Sequence, residues 1–204
     1  MREVRVSELT EKIKNMCIEV NLRLSDDMKD SLEKAGAEET SALGKHILKK
    51  LEENLEIAAS EKIPICQDTG MAVIFLEIGQ EVHFTGGALE DAVNEGVRQG
   101  YTEGYLRKSV VDDPLIRNNT GDNTPAIIHE RLVEGDKVKI SLAPKGFGSE
   151  NMSRIFMLKP AEGIEGVKSA VLTAVKDAGP NACPPMVIGV GIGGHFEKSP
   201  PIPT

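Results

Sequence analysis

The sequence predicts an α+β fold in which N-terminal helices are followed by a mixed β-sheet with packed helices. Three observations predict it. Apolar residues recur at helical spacing through residues 1–60, the pattern changes after Pro64 to short runs rich in Val, Ile and Phe, and a helical period returns from Ile164 onward. Residues 1–204 are expected to form one domain, with 1–60 as its helical subregion.

Ile13, Met16, Cys17, Val20 and Leu24 lie on one face of a first amphipathic helix, for which Ser7 is a candidate N-cap. After Ser25-Asp26-Asp27, a second helical region carries Leu43, Ile47, Leu51 and Leu55 on one face and ends near Ala59-Ser60. Cys66 to Gly70 reads as a loop feeding a buried strand at Met71 to Ile78. A further helix is marked by Leu89, Val93, Val97 and Tyr101, with Gly96, Gly100 and Gly104 repeating at every fourth position. Because glycine weakens a helix, this stripe implies close approach by a neighbouring element; Glu95, Arg98 and Glu103 rule out a membrane reading. Asp112 to Pro125 reads as a polar, solvated turn region. Ala126 to Leu132 and Lys137 to Leu142 are candidate strands, and Pro144 to Ser153 is a glycine-containing loop. Ile164, Val167, Val171, Ala174 and Val175 define a last helix, and Met186 to Val190 a last strand.

A chain that is 40% hydrophobic and 27% charged has the composition of a globular protein, and its net charge of -8 disfavours nucleic acid as a partner. No apolar run approaches the roughly 20 residues of a membrane helix, and the opening MREVRVSELTEKIK lacks a signal-peptide core, so a cytoplasmic protein with no membrane partner is expected. Three widely separated cysteines do not make a disulfide framework and point instead to reduced thiols or metal ligands.

Cys66-Gln67-Asp68-Thr69-Gly70 gathers a thiol, an amide and a carboxylate on one loop, a common place for functional groups; the alternative is a small buried Cys with a turn made by Asp68 and Gly70. Asn181-Ala182-Cys183-Pro184-Pro185 puts a second Cys on a Pro-rich turn. The distance in sequence excludes a local zinc knuckle but is compatible with two loops converging on one cluster. Cys17, on an apolar helix face, reads as a core thiol. Gly189, Gly191 and Gly194 formally match GxGxxG, but too little chain follows to complete a βαβ unit, so a dinucleotide site is not expected. Lys145 to Asn151 could cradle a carboxylate or phosphate with backbone N–H groups, although it lacks the ending of a P-loop. Arg107-Lys108 closes the glycine-striped helix, either complementing its C-terminus or, through Arg107, offering a planar fork to a carboxylate. His46, His83, His129 and His195 show no ligand spacing.

Together IPICQDTGMAVIFLEIG, EGYLRKSVVDDPLIRNNTGDNTPAIIH, APKGFGSENMS and NACPPMVIGVGIGG resemble the alpha subunit of class I, iron–sulfur fumarate hydratases and of L(+)-tartrate dehydratases. The resemblance runs along nearly the whole chain. It implies a [4Fe-4S] cluster held by three cysteines, of which Cys66 and Cys183 match two, with one iron left open to act as a Lewis acid. It further implies that Gln67 and Asp68 bind the substrate, with Asp68 the catalytic acid; that Arg107 holds a substrate carboxylate; and that Gly148 contributes a main-chain contact. The expected reaction is hydration of fumarate to malate, with dehydration of tartrate to oxaloacetate as the alternative. The dicarboxylate would be handled jointly with a beta subunit in an oligomer that supplies a catalytic base. The family's third cluster cysteine and a catalytic histidine lie beyond the glycine run and are not found in these residues. The 204 residues alone are therefore expected to bind the cluster weakly or not at all and to lack activity. A cluster-free module that only binds a beta-type partner is the rival outside the enzyme class.

Overall fold

The computed structural model describes residues 1–183 and 185–193. Pro184, and the stretch from Gly194 through His195 to the proline-rich 200–204, lie outside the described residues. The fold is α+β, and it separates into two compact units, Met1–Lys145 and Gly146–Thr204.

The first unit opens with strand β1 (Arg2–Arg5), followed by three helices, α1 (Val6–Leu22), α2 (Asp26–Glu38) and α3 (Ala42–Glu61). Strands β2 (Met71–Gly79) and β3 (Val82–Thr85) come next, then helix α4 (Leu89–Glu103), and then β4 (Ile127–Val133) and β5 (Val138–Lys145). The main sheet has the order β4-β2-β5. In it β2 pairs in parallel with β4 and antiparallel with β5, so the sheet is mixed as expected. Alternation along β2 buries Ala72, Ile74, Leu76 and Ile78 on one face. On the other face Phe75 stacks on His129 of β4, with ring centroids 4.9 Å apart.

Helix α1 aims Leu9, Ile13 and Cys17 at the core, and α4 answers with Val93, Val97 and Tyr101. The glycine stripe is where the two helices meet. A Cβ at Gly96 would lie 2.8 Å from the Thr10 carbonyl oxygen, and one at Gly100 would lie 2.7 Å from Cys17 Cβ. Only a residue without a side chain permits that approach. The inferred neighbour is therefore α1. Burial pushes the Cys17 thiol up to about 12, which fits its reading as a core residue.

Several expectations are corrected. Ser7 lies inside α1 rather than capping it, and the N-cap position falls on Arg5. The second helical region is two helices, broken where Glu39 Oε1 accepts the N–H groups of Thr40 and Ser41; Ser41 then caps α3 by accepting from Gly44 N. The face read on α3 is only partly covered, with Leu43 and Ile47 exposed. Strands β1 and β3 went unread because each has four residues and little apolar alternation; they exist by pairing with each other in parallel, Arg2 opposite Val82 through Arg5 opposite Thr85.

The second unit holds a one-turn helix α5 (Phe147–Glu150) inside the stretch read as a loop, a 3₁₀ turn at Pro160–Glu162, helix α6 (Gly163–Ala178) and a 3₁₀ turn at Gly179–Ala182. Helix α6 matches the last predicted helix. Met186 to Val190 is not a strand: the segment has no ladder partner among the described residues, and Val187, Ile188 and Val190 are exposed. An apolar run becomes a strand only where an edge accepts its N–H and C=O groups.

Candidate functional site

The Cys66 loop is built from its two ends. On the incoming side, Ile65 N–H donates to the Asn21 carbonyl of α1 (2.8 Å), and Asn54 Nδ2 of α3 donates to the Ile65 carbonyl (2.9 Å). On the outgoing side, Gly70 N–H donates to Asp68 Oδ1 (3.0 Å), closing a turn that Gly70 permits with φ of 63°. The turn weighed in the sequence is present, but the thiol is not buried: Cys66 and Gln67 are exposed and Asp68 half-buried. Asp68 N–H donates toward Cys66 Sγ at 3.4 Å, and the thiol faces Gln67 Oε1 at 3.4 Å.

Three side chains tie this loop to the segment carrying Arg107. Thr69, only 3% exposed, donates its hydroxyl to the Arg107 carbonyl (3.1 Å), and its own carbonyl accepts from the buried Tyr101 hydroxyl (2.8 Å). Asn123 is fully buried: its Nδ2 donates to the Gly70 carbonyl (3.1 Å), while its Oδ1 accepts from the Ser109 (2.7 Å) and Val110 (3.2 Å) N–H groups. Burial pushes the Tyr101 phenol well above its ordinary range, so the hydroxyl stays a donor. The loop carrying Cys66, Gln67 and Asp68 and the main chain of the Arg107 segment are thus fastened together within the first unit. Arg107 lies past the end of α4 rather than closing its last turn, and its side chain is exposed. A groove of about 550 Å³ between α1 and the start of α4, lined by residues including Thr10, Lys14, Asp91 and Glu95, shares no residue with these two segments.

Sequence reasoning missed the fastening residues. Asn123 sits in the stretch read as a solvated turn, yet it is among the most buried side chains in the chain. Nothing in the sequence separates it from Asn118 or Asn119. Beside it, Asp122 pairs with Arg98 of α4 at 2.8 Å. Partial burial works to raise the Asp122 carboxyl, but hydrogen bonds from Arg98 and from the Thr124 hydroxyl and N–H outweigh it and hold the group at about 2.

In the second unit, α5 packs against the Gly179–Ala182 turn, and a Cβ at Gly148 would lie 3.9 Å from the Asn181 carbonyl oxygen. Gly148 is therefore brought beside the turn that leads into Cys183. It is exposed, and its backbone is open to approach. Cys183 is exposed and adopts a left-handed conformation, φ 56°. As donors, Cys66 and Cys183 suit an iron–sulfur cluster in kind: both are soft sulfur ligands, solvent-open and outside any disulfide, whereas Cys17 is sealed between helices. Among the described residues no group of three His, Cys, Asp or Glu side chains gathers as a metal site. No helix among them is long and apolar enough to cross a membrane.

With this geometry in place, comparison with known proteins defines the class. The model of the family described as Fumarate hydratase (Fumerase) matches residues 10–201. The chain belongs to that family. It is 41% identical over 185 residues to the Methanocaldococcus jannaschii protein named "Putative L(+)-tartrate dehydratase subunit alpha", covering 88% of this chain and 65% of the relative. It is 31% identical over 201 residues to the L(+)-tartrate dehydratase subunit alpha of Escherichia coli strain UTI89, covering 97% of this chain and 66% of the relative. The chain thus spans just under two thirds of the length of these curated relatives.

Proposed function

We propose that this chain is the alpha-subunit part of a [4Fe-4S] hydro-lyase that catalyses reversible hydration of fumarate to malate, working with a beta subunit. The observation that carries the reading is the fastening of the Cys66–Gly70 loop to the Arg107 segment by buried hydrogen bonds from Thr69, Tyr101 and Asn123. A constellation held in this way can present a carboxyl group and a guanidinium to one small dicarboxylate. Family membership supports the reaction class.

In this reading Cys66 and Cys183 would hold the cluster, which when bound would supply Lewis-acid chemistry toward the substrate oxygen. The chain's own groups do the rest. The planar, always-charged fork of Arg107 takes one substrate carboxylate in bidentate fashion. Asp68 holds and moves a proton at its carboxylate, its geometry fixed by the Gly70 N–H donating to Oδ1. Gln67 orients the substrate beside it, and the Gly148 main chain contacts the substrate from α5. The beta subunit contributes the base and further substrate contacts. A second reading, dehydration of tartrate to oxaloacetate at the same site, is favoured by the names of the relatives.

The test is anaerobic co-purification with the beta-type partner, iron and sulfide analysis, and turnover of fumarate and tartrate side by side. The Asp68→Asn enzyme is expected to fold normally and to lose about 10²–10⁴ in kcat, the usual contribution of a positioned acid. Undiminished turnover by that variant, or absence of iron and sulfide from the wild-type complex, would sink the reading.

A further inference from the structure

Asn123 has an unusual combination of properties. It is 0% exposed, it adopts the left-handed backbone conformation with φ of 65°, and its side chain bonds to main chain at Ser109, Val110 and Gly70. Few side chains satisfy all three demands. Asn tolerates left-handed φ better than other residues with side chains, and its amide donates and accepts at once. Its acceptor grips Ser109 and Val110, just after Arg107, and its donor grips Gly70, just after Asp68. Thr69 makes a second tie across the same seam, from inside the Cys66 loop to the Arg107 carbonyl itself. These contacts join residues 53 and 38 positions apart, so no local turn would reproduce them. Both side chains are closed off from solvent, whereas Cys66, Gln67 and Arg107 are exposed.

We propose that Asn123 and Thr69 are positioning residues that fix the Cys66–Asp68 loop against the Arg107 segment. They set the separation between the Asp68 carboxyl and the Arg107 guanidinium. The effect on a dicarboxylate rests on the functional reading above; the fixing of the loop does not. Asn123→Asp isolates the tie to the loop, because a carboxylate still accepts from Ser109 and Val110 but cannot donate to the Gly70 carbonyl. Asn123→Gly keeps the backbone conformation and removes all three bonds. Thr69→Val deletes the hydroxyl at nearly constant volume, and Thr69→Ser restores it.

The experiment pairs amide hydrogen exchange with steady-state kinetics, both on the full chain assembled with its beta-type partner. Asn123→Asp is expected to speed exchange of the Asp68 and Gly70 N–H groups at least tenfold, leave the helix N–H groups of α1 and α4 unchanged, and raise KM for the dicarboxylate about tenfold while lowering kcat. Thr69→Val is expected to raise KM similarly, with Thr69→Ser within about twofold of wild type. The proposal is overturned by either of two results: Gly70 exchange unaltered in Asn123→Asp, or faster exchange throughout the first unit with kcat and KM of the folded enzyme unchanged, which is what a purely structural role produces. Should the wild-type complex turn over neither fumarate nor tartrate, the functional reading fails. The exchange data then decide the positioning claim alone: acceleration confined to residues 66–70 supports it, and uniform acceleration refutes it.

Discussion

Substituting Gly100 by Ala puts a methyl group where α1 and α4 touch. The new Cβ would sit 2.7 Å from Cys17 Cβ and 2.9 Å from the Lys14 carbonyl oxygen. Both obstacles are attached to the α1 backbone, so relief requires the helices to move apart and loosen Ile13, Val93, Val97 and Tyr101. Overpacking of this kind costs about 1–3 kcal/mol, against which alanine returns up to about 1 kcal/mol of helix propensity. A net loss of about 1–2 kcal/mol is expected. Gly36 in α2 supplies the control, since a Cβ there would find only Glu52 Oε1 at 3.7 Å. Gly36→Ala is therefore expected to gain about 0.5–1 kcal/mol from propensity alone. Urea unfolding followed by far-UV circular dichroism should separate the two variants in opposite directions; with a slope of about 1–3 kcal/mol per molar, the Gly100→Ala midpoint falls by about 0.3–2 M. A Gly100→Ala protein at least as stable as wild type would refute the close-approach argument.

Other expectations follow from buried and exposed titratable groups. The Asp122 carboxyl, held at about 2 against an ordinary 3.8, contributes stability that is fully present above pH 4 and is lost as pH falls toward 2. Asp122→Asn is expected to cost about 1–2 kcal/mol at pH 7 and progressively less below pH 4, and thermal melts across pH 2–7 that keep a constant gap between the two proteins would contradict this. Iodoacetamide at pH 8 should alkylate the exposed Cys66 and Cys183 in the folded apo-protein and spare Cys17, whose thiol burial has pushed up to about 12; urea should expose the third site. Mass spectrometry showing Cys17 modified as fast as Cys66 under native conditions would disprove its sequestration.

Much of the fold was legible because its signals are local. The periods that marked α1, α4 and α6 and the runs that marked β2, β4 and β5 arise within a few residues of each other, where side-chain direction follows backbone period directly. The break between α2 and α3 was less visible, because it depends on one Glu side chain turning back onto two N–H groups. Strands β1 and β3 could not be read at all, since neither has reason to be extended except the other. The apolar Met186–Val190 run shows the converse, a strand-like composition with no ladder to join among the described residues.

For the candidate site the division is similar. The sequence by itself offered the candidate groups: a thiol, amide and carboxylate side by side at Cys66, Gln67 and Asp68, an arginine at 107 and a second thiol at 183, with Gly148 added by the family resemblance. It also determined that Cys17 belongs to the core, through helical period alone. Only the tertiary structure decided that Thr69, Tyr101 and Asn123 hold the Cys66 loop against the Arg107 segment, and that α1 is what the glycine stripe of α4 accommodates. The physical reason is that hydrogen bonds between groups tens of residues apart leave no periodic trace in the chain. They come into being when the packing of α1, α4 and the sheet brings those groups together and shuts water out.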